Sequence, residues 1–285
     1  MKKYAIALGM FDGVHIGHRA VLKYAIDSGF KSLAVTFDSL PFKNGGNLMT
    51  SKIKEEALRA FGIHKVWFLN FNKVKDLTPK EFLDRLSGNY NVGKIVCGFN
   101  YRFGKNAEGN TDFLRLYCKE RGIAFDEIPP VTIDGLPVST TLIKDLLKNG
   151  EVVKAAELLS SPFYFKAEVE EGDKRGRTMG FPTANQKYPK SYARLKNGVY
   201  QTVVTIDDRE YDGVTNIGLR PTYPTKDITA ETYILDYAGD CYGKEVKTQI
   251  IKFLRDERKF NSSEELKNAI SENVRYVKEN SKAKK

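Results

Sequence analysis

The chain has 285 residues, which is long for one average domain and suits two domains of about 150 residues each. Hydrophobic residues make up 41% and charged residues 29%, and no apolar run approaches the roughly 20 residues that cross a bilayer. The net charge of +10 suits polyanionic nucleotides and leaves nucleic acid as a minor alternative. Because the lysines are scattered and nothing resembles a recognition helix or an RNA-stacking platform, we expect no nucleic-acid partner and no membrane association.

Two features predict a cytoplasmic location. The apolar stretch after the two initial lysines is only Tyr4–Leu8, which is shorter than the roughly 7–15 residues of a signal-peptide core and precedes no small-residue cleavage site. We therefore interpret it as a buried first strand. The cysteines, Cys97, Cys118 and Cys241, are far apart and lack metal-ligand spacing, which is typical of reduced thiols in a cytosolic protein.

The first half of the chain alternates strand-like and helix-like segments. Apolar runs predict strands at Tyr4–Leu8, Ser32–Phe37, Val66–Leu69 and Ile95–Cys97. Periodic apolar positions predict helices after the first strand, over Lys52–Phe61 and Thr111–Arg121, and from about Pro79. This alternation indicates a doubly wound α/β domain with a parallel sheet, which binds ligands at the carboxyl ends of its strands.

The pattern changes near Pro162 to an alternation of apolar and polar residues. Strands are predicted from Phe163 and over Gly198–Ile206, Glu231–Tyr237 and Glu245–Phe253. Several strands without intervening helices indicate an antiparallel β-barrel or sandwich.

Two further helices complete the predicted organisation. One runs from about Thr141 to Leu159 and joins the halves, so the expected domains are residues 1–159 and 160–285. The other starts at Ser262, which forms a predicted capping box with Glu265, and lays one apolar stripe on the barrel: Leu266, Ala269, Ile270, Val274 and Val277.

The segment from Gly9 to His18, GMFDGVHIGH, lies where the first strand passes into the first helix. Glycines at positions 9, 13 and 17 let the backbone approach a ligand, and the helix N-terminus offers N–H groups to phosphate. The spacing is neither the GxGxxG fingerprint nor a Walker loop. Instead, the imidazoles of His15 and His18 can donate hydrogen bonds to phosphate oxygens as charge builds during attack on an α-phosphate.

Two other interpretations of these histidines are open. A buried structural histidine is the ordinary alternative, but two of the three histidines in the chain fall within four residues, which disfavours it. A zinc site made of His15, His18 and Asp12 is the second alternative. The lack of an HExxH motif or a nearby cysteine disfavours that one.

The same segment resembles the GxFDGxHxGH signature of the HxGH nucleotidyltransferases, specifically the adenylyltransferase half of prokaryotic bifunctional riboflavin kinase/FAD synthetases. Cys97–Gly109 resembles the GxDFxFG segment of that family, and Ser139–Lys144 resembles its SSTxxR segment, which contacts ATP phosphates. The resemblance implies that His15 and His18 are catalytic. It also implies a set of ATP-binding residues: Gly9, Phe11, Gly17, Asn100, Ser139, Thr140 and Lys144.

The chain departs from this family pattern at two places. Lys144 stands where the family usually has arginine, and lysine keeps the charge but loses the bidentate fork. Ser39 and Leu40 stand where a proline and a histidine of TFxPHP are expected, and leucine neither donates to phosphate nor moves a proton. The departures leave one alternative open, a riboflavin kinase only, with a degenerate nucleotide-binding N-terminal domain.

A second site is predicted in the segment GDKRGRTMGFPTANQ. Its cations and exposed backbone N–H groups suit phosphate, while Thr183 and Asn185 offer oxygen ligands to Mg²⁺. A flexible basic loop with a proline turn is the alternative, and composition alone does not decide between the two.

Gly176–Asn185 resembles the GRxxGFPTAN signature of riboflavin kinases throughout its length. Asn216–Tyr223 resembles the NIGxRPTF turn of that family, and ETYILDYAGDCYG with FLRDERKF resembles the end of its barrel. The resemblance implies that Thr183 and Asn185 hold the metal of Mg–ATP and that Glu231 is the general base. The ATP-binding residues that it implies are Lys174, Gly176, Gly180, Pro182 and Asn216.

The alternation of side chains gives an independent interpretation of Glu231. On the predicted strand it shares a face with Tyr233, Leu235 and Tyr237, and apolar surroundings favour a carboxylate that works as a base near neutrality. A solvated glutamate on an edge strand is the alternative. The opposite face is mixed, so the pattern does not decide which side is buried.

The two resemblances together imply an enzyme that phosphorylates riboflavin to FMN with Mg–ATP and adenylylates FMN to FAD with a second ATP, releasing pyrophosphate. The implied cofactor is Mg²⁺ with ATP as co-substrate, and the implied partners are riboflavin, FMN, FAD and ATP/ADP, with weak homo-oligomerisation left open. The alternative from another class is a non-catalytic flavin- or nucleotide-binding regulator that uses its basic surface on RNA. The second signature and Glu231 disfavour it.

Overall fold

The computed structural model describes residues 2–38, 45–172, 176, 180–219 and 227–283. They divide into two compact units, Met1–Leu142 and Ile143–Lys285, which are described separately below. The boundary after residue 159 stays a prediction. No helix in the described ranges is long and apolar enough to span a membrane.

The first unit contains a sheet of five strands, all parallel, in the order β3–β2–β1–β4–β5. Its strands are β1 Tyr4–Leu8, β2 Lys31–Phe37, β3 Lys65–Leu69, β4 Val92–Gly98 and β5 Ala124–Ile128. The order reverses between β1 and β4, which creates a crevice at their carboxyl ends. The predicted doubly wound domain is confirmed.

Helices cover both faces of this sheet because its strands are buried on both sides. They are α1 Ile16–Ile26, α2 Ser51–Ala60, α3 Phe71–Val74, α4 Pro79–Asn89 and α5 Thr111–Glu120. In β1, Ile6 and Leu8 pack into one core, whereas Ala5 and Ala7 pack into the other. A 3₁₀ turn (Lys105–Ala107) and a small hairpin complete the unit, with strands β6 Thr132–Ile133 and β7 Leu136–Pro137.

The predicted single helix from Thr141 to Leu159 is wrong. Two helices occupy this stretch, α6 Thr140–Asn149 and α7 Val152–Leu159. Gly150 between them has a φ of 82°, a left-handed conformation that glycine adopts without steric cost. The Gly150 N–H donates to Leu147 O at 3.2 Å, which ends the first helix.

The second unit is a closed, antiparallel six-stranded barrel in the order β10–β11–β12–β9–β8–β13. Its strands are β8 Tyr164–Glu170, β9 Thr183–Lys187, β10 Gly198–Ile206, β11 Arg209–Leu219, β12 Ile228–Ile234 and β13 Glu245–Arg255. The predicted strand Glu231–Tyr237 is therefore three residues too far along the chain. Asp236, with a φ of 57°, lies in the turn that follows β12.

The last helix, α8 Ser263–Glu279, packs on the outside of this barrel as predicted. Its Val277 lies in a buried cluster with Val199, Val214 and Leu235. Ser262 accepts from the Glu265 N–H at 3.1 Å. The reciprocal half of the predicted capping box differs, because the Glu265 carboxylate accepts from the Asn261 N–H at 3.0 Å.

Candidate active sites

A cavity of about 340 Å³ lies at the carboxyl ends of β1, β4 and β5, where the strand order reverses. This is where a doubly wound sheet binds its ligand. Eight of the residues predicted for the adenylyltransferase site line it: Gly9, Phe11, His15, Gly17, His18, Asn100, Ser139 and Thr140.

The loop after β1 contains three residues in the left-handed conformation. Phe11, Gly13 and Val14 have φ values of 49°, 84° and 41°. A Cβ on Gly9 would lie 2.8 Å from the Phe11 ring, so glycine is required there. The carboxylate of Asp12 accepts from the N–H groups of Leu48 and Met49 at 2.9 and 3.3 Å, so it holds this loop in place.

The two histidines meet at the entrance of α1. His15 is its N-cap, and its Nδ1 accepts from the His18 N–H at 3.3 Å. Since Nδ1 is an acceptor, the proton of the neutral ring sits on Nε2 and remains a donor. The rings stack with centroids 3.6 Å apart.

Burial keeps both imidazoles neutral. It lowers the pKa of His15 to about 4, and it lowers the pKa of His18 well below its usual range, with further contributions from nearby His15 and Lys54. Within the described ranges, His18 Nδ1 is buried without a hydrogen-bond partner. No group of three or more His, Cys, Asp or Glu side chains among the described residues is arranged to hold a metal ion.

Sequence reasoning missed Lys54, a buried cation beside this loop. Its Nζ donates to the carbonyl oxygens of Met10 and Phe37 at 3.0 and 3.2 Å, so it joins the ends of β1 and β2. Burial lowers its pKa, while Asp12 and Asp38 act in the opposite direction. Nothing in the helical pattern around Lys54 distinguishes it from the exposed lysines of the chain.

Ser139 and Thr140 lie at the start of α6. Ser139 Oγ accepts from the Leu142 N–H at 3.2 Å, and Thr140 Oγ1 donates to Asp12 O at 3.3 Å. Lys144 is half-buried on the same helix and belongs to the second unit, so its role at the triphosphate stays a prediction. Ser39 and Leu40 lie outside the described residues.

A second cavity, of about 370 Å³, lies between the outer face of the barrel and α8. Glu231 on β12 lies directly opposite Asn185 on β9 and Asn216 on β11. Thr183 is placed two residues before Asn185 on the same strand. The structure thus brings the predicted base and metal ligands to one face of the sheet.

The structure also decides which face of β12 is buried. Thr232 and Ile234 point into the barrel and are 1% and 7% exposed, whereas Glu231 and Tyr233 line the outer cavity. Leu235 packs under α8 on the same side as Tyr233. Tyr237 packs in the other barrel cluster, so its predicted place beside Glu231 is wrong.

The side-chain oxygens on β9 are suitable ligands for a magnesium ion. Asn185 is buried, and its Nδ2 donates to Thr183 O at 3.1 Å, which orients the amide. Thr183 and Asn185 supply the uncharged oxygens that suit Mg²⁺ bound mainly through phosphates. The backbone approaches closely here, since a Cβ on Gly172 would lie 2.3 Å from Asn185 Nδ2 and one on Gly176 would lie 2.2 Å from Phe181 O.

The remaining predicted kinase residues are placed unequally. Gly176 and Asn216 line the cavity, whereas Gly180, with a φ of 86°, and the exposed Pro182 lie outside the lining. Lys174 and residues 220–226 lie outside the described residues.

Sequence reasoning also missed the far wall of this cavity. It consists of Arg255 at the end of β13, of Glu257, Arg258 and Phe260 after that strand, and of Leu266, Ile270 and Asn273 on α8. Glu257 accepts from Asn216 Nδ2 at 3.3 Å, and Arg255 Nε donates to Asn273 Oδ1 at 3.1 Å. The signal was present, because FLRDERKF places a dense run of charges directly after a strand.

Two family models match the chain. One described as FAD synthetase matches residues 1–142, and one described as riboflavin kinase matches residues 159–281. The cavity at His15 and His18 lies within the first of these ranges, and the cavity at Glu231 lies within the second.

The chain is 33% identical to a bifunctional riboflavin kinase/FMN adenylyltransferase of Bacillus subtilis, over 96% of this chain and 92% of that protein. It is 32% identical to the protein of that name from Escherichia coli K12, over 93% and 89%. A Streptococcus pneumoniae structure described as a macrolide-efflux protein has the same fold, with a TM-score of 0.89 and 26% identity over 97% of this chain and 94% of that one.

Both halves match, and the relatives carry both activities in one chain, which supports the two-activity prediction over the kinase-only alternative. The resemblance found in the sequence is confirmed over nearly the whole chain. The protein belongs to the family of bifunctional riboflavin kinases/FMN adenylyltransferases.

Proposed function

We propose that the chain makes FAD from riboflavin in two ATP-dependent steps, one in each unit. The second unit transfers the γ-phosphoryl group of ATP to riboflavin, and the first unit transfers the adenylyl group of a second ATP to the resulting FMN. The observation that carries the proposal is that each unit has a cavity where the residues of its own signature converge.

In the kinase site, Glu231 takes the proton of the riboflavin 5′-hydroxyl as that oxygen attacks the γ-phosphorus. The bond from that phosphorus to the β-bridging oxygen breaks, and ADP leaves. Asn185 and Asn216 lie directly opposite Glu231 on the two neighbouring strands, which fixes the place of the carboxylate on the sheet. Thr183 and Asn185 would hold Mg²⁺, which supplies neutralisation of the phosphate charge.

Flavin has a suitable binding surface in the kinase cavity. Tyr233 and Phe181 pack edge to face at 5.2 Å, and Leu266 and Ile270 of α8 supply an apolar wall. Aromatic and aliphatic surfaces of this kind bind a planar ring, while Glu231 at the same cavity faces the ribityl end.

In the adenylyltransferase site, a phosphate oxygen of FMN attacks the α-phosphorus of ATP and pyrophosphate leaves. The Nε2–H of His15 and the ring of His18 stabilise the charge that builds on the phosphates, as neutral donors. No proton transfer by either histidine is required, which agrees with their lowered pKa values.

A second cavity in the first unit suits the FMN ring. It has a volume of about 520 Å³ and an aromatic lining that includes Phe37, Phe71, Phe82, Tyr101 and Phe103. We call it the aromatic cavity, and we call the cavity at His15 and His18 the nucleotide cavity.

Location and assembly rest on the sequence alone. Reduced cysteines and ATP-dependent chemistry favour the cytoplasm. We propose that the protein acts without nucleic acid and that any self-association is weak.

The test is to give the purified protein riboflavin, ATP and Mg²⁺, and separately FMN, ATP and Mg²⁺, and to resolve the products by chromatography. The proposal expects FMN and FAD from the first mixture and FAD with pyrophosphate from the second. FMN without FAD would leave only the kinase, and no product in either mixture would refute the enzyme assignment.

A further inference from the structure

The nucleotide cavity and the aromatic cavity of the first unit share part of their walls. Four residues line both of them: Met10, Phe37, Tyr101 and Arg102. Arg102 is the charged member of this set. A ligand that reaches from one cavity into the other therefore passes Arg102.

The backbone fixes Arg102 while its side chain stays exposed. The Tyr101 N–H donates to Gly98 O at 3.0 Å, at the end of β4, and the Phe103 N–H donates to Gly109 O at 3.2 Å. The Phe103 ring is 6% exposed and anchors the segment in the core. Within the described ranges, the Arg102 guanidinium has neither a hydrogen bond nor an ion pair, so its donors are available to a ligand.

The attacking group in this unit is the phosphate of FMN. If the flavin ring occupies the aromatic cavity and ATP the nucleotide cavity, the 5′-phosphate must lie where the two cavities meet, next to the α-phosphate. Two anionic groups approach each other there. The planar guanidinium of an arginine donates two parallel hydrogen bonds to a phosphate, whereas the ammonium group of a lysine supplies the charge without this paired geometry.

We propose that Arg102 binds the 5′-phosphate of FMN, positions it for attack on ATP, and so selects FMN over unphosphorylated flavin. The proposal rests on the proposed adenylyltransferase activity of this unit. In the step itself, a phosphate oxygen of FMN forms a bond to the α-phosphorus, and the bond from that phosphorus to the β-bridging oxygen breaks. Arg102 neither gains nor loses a proton.

The test measures FAD formation from FMN and ATP by the full chain and by its variants Arg102→Gln and Arg102→Lys. We expect Arg102→Gln to raise the KM for FMN by about 10- to 100-fold, the usual worth of hydrogen bonds to a charged group, and to change the KM for ATP less than about twofold. Arg102→Lys should recover part of the loss, because it keeps the charge without the fork.

Lumiflavin separates recognition of the phosphate from recognition of the ring. It carries the isoalloxazine ring without a phosphate and cannot be phosphorylated, so it serves as an inhibitor of FAD formation. Its inhibition constant should be the same for the wild type and Arg102→Gln. A matched increase in this constant and in the KM for FMN would overturn the proposal, because Arg102 would then shape the aromatic cavity.

Arg85→Gln is the control, since Arg85 is exposed on α4 and lines neither cavity. Riboflavin kinase activity and the melting temperature of each variant report whether it folds. An unchanged KM for FMN in Arg102→Gln would refute the role of Arg102. Failure of the wild type to form FAD from FMN would instead refute the adenylyltransferase activity, and the proposal with it.

Discussion

Glu231 and Asn185 face each other across the β12–β9 ladder, so the candidate base and a candidate metal ligand are held by backbone pairing. Residues directly opposite in an antiparallel pair have Cβ atoms about 5 Å apart on the same face of the sheet. The kinase site is therefore built on the rigid barrel, and the adjoining loops and α8 contribute the rest.

Replacing Glu231 by glutamine should abolish phosphorylation of riboflavin while the fold is kept. The change preserves size and removes the base, so kcat should fall by about 10² to 10⁴ with little change in melting temperature. Steady-state assays of FMN formation check this. Glu245→Gln, on an exposed residue at the start of β13, is the matched control and should be fully active. A kinase rate of Glu231→Gln within threefold of the wild type would contradict the assignment of the base.

The dual role of His15 can be separated with two substitutions. Asparagine is a strong N-cap residue and alanine is a poor one, so His15→Ala should be less stable than His15→Asn by about 0.5–2 kcal/mol. Both variants lose the Nε2–H donor, so both should lose FAD formation. Urea unfolding and FAD assays measure the two effects. Wild-type FAD formation by His15→Asn would show that the imidazole serves only as a cap.

The protonation of His15 gives a pH prediction. Its pKa in the folded protein is about 4, below the ordinary 6.5, because burial penalises the imidazolium. The unfolded chain therefore takes up this proton first as the pH falls. The folded protein therefore keeps its full stability above about pH 6.5, and its free energy of unfolding falls as the pH drops from there to about 4. NMR titration of the ring C–H signals should give a midpoint near 4, and a midpoint near 6.5 would contradict the buried, neutral ring.

Gly172 should be intolerant of a methyl group. A Cβ there would lie 2.3 Å from Asn185 Nδ2, so Gly172→Ala must displace the amide. We expect a higher Mg²⁺ concentration for half-maximal kinase activity, with FAD formation from FMN unaffected.

The matched control is Gly88→Ala on α4, where a Cβ would meet nothing within 4 Å. It should stabilise the helix by roughly 0.5–1 kcal/mol and leave both activities unchanged. If Gly172→Ala keeps the Mg²⁺ dependence of the wild type, Asn185 is not held as described.

Much of the fold could be predicted because the hydrophobic residues of several strands form a clear pattern in the sequence. Tyr4–Leu8 and Gly198–Ile206 are strands over the predicted ranges, since one is a continuous apolar run and the other contains many β-branched residues. Strand β9 was missed because TANQK is polar. In the structure, Gln186 is buried, and its Nε2 donates to Ala167 O and Val246 O at 2.9 Å each. These hydrogen bonds across the barrel allow a polar residue that is typical of loops to occupy a buried strand position.

The sites could be predicted only where their residues are close in the sequence. The histidine pair and the Thr183–Asn185 segment were identified as local motifs. The structure places both histidines and Thr183 in the walls of their cavities, and Asn185 directly opposite Glu231. Lys54 and Arg102 were not identified, because their importance depends on carbonyl groups or cavities that distant segments bring together. No local pattern contains that information.

The central claim is that two independent sites in one chain perform successive steps, and complementation tests it most directly. Glu231→Gln given riboflavin and ATP should make no FAD but should convert supplied FMN at the wild-type rate. His15→Asn should stop at FMN, and mixing the two variants with riboflavin should restore FAD, because FMN made by one reaches the other. Loss of FAD formation from FMN in Glu231→Gln, or of FMN formation in His15→Asn, would contradict the account.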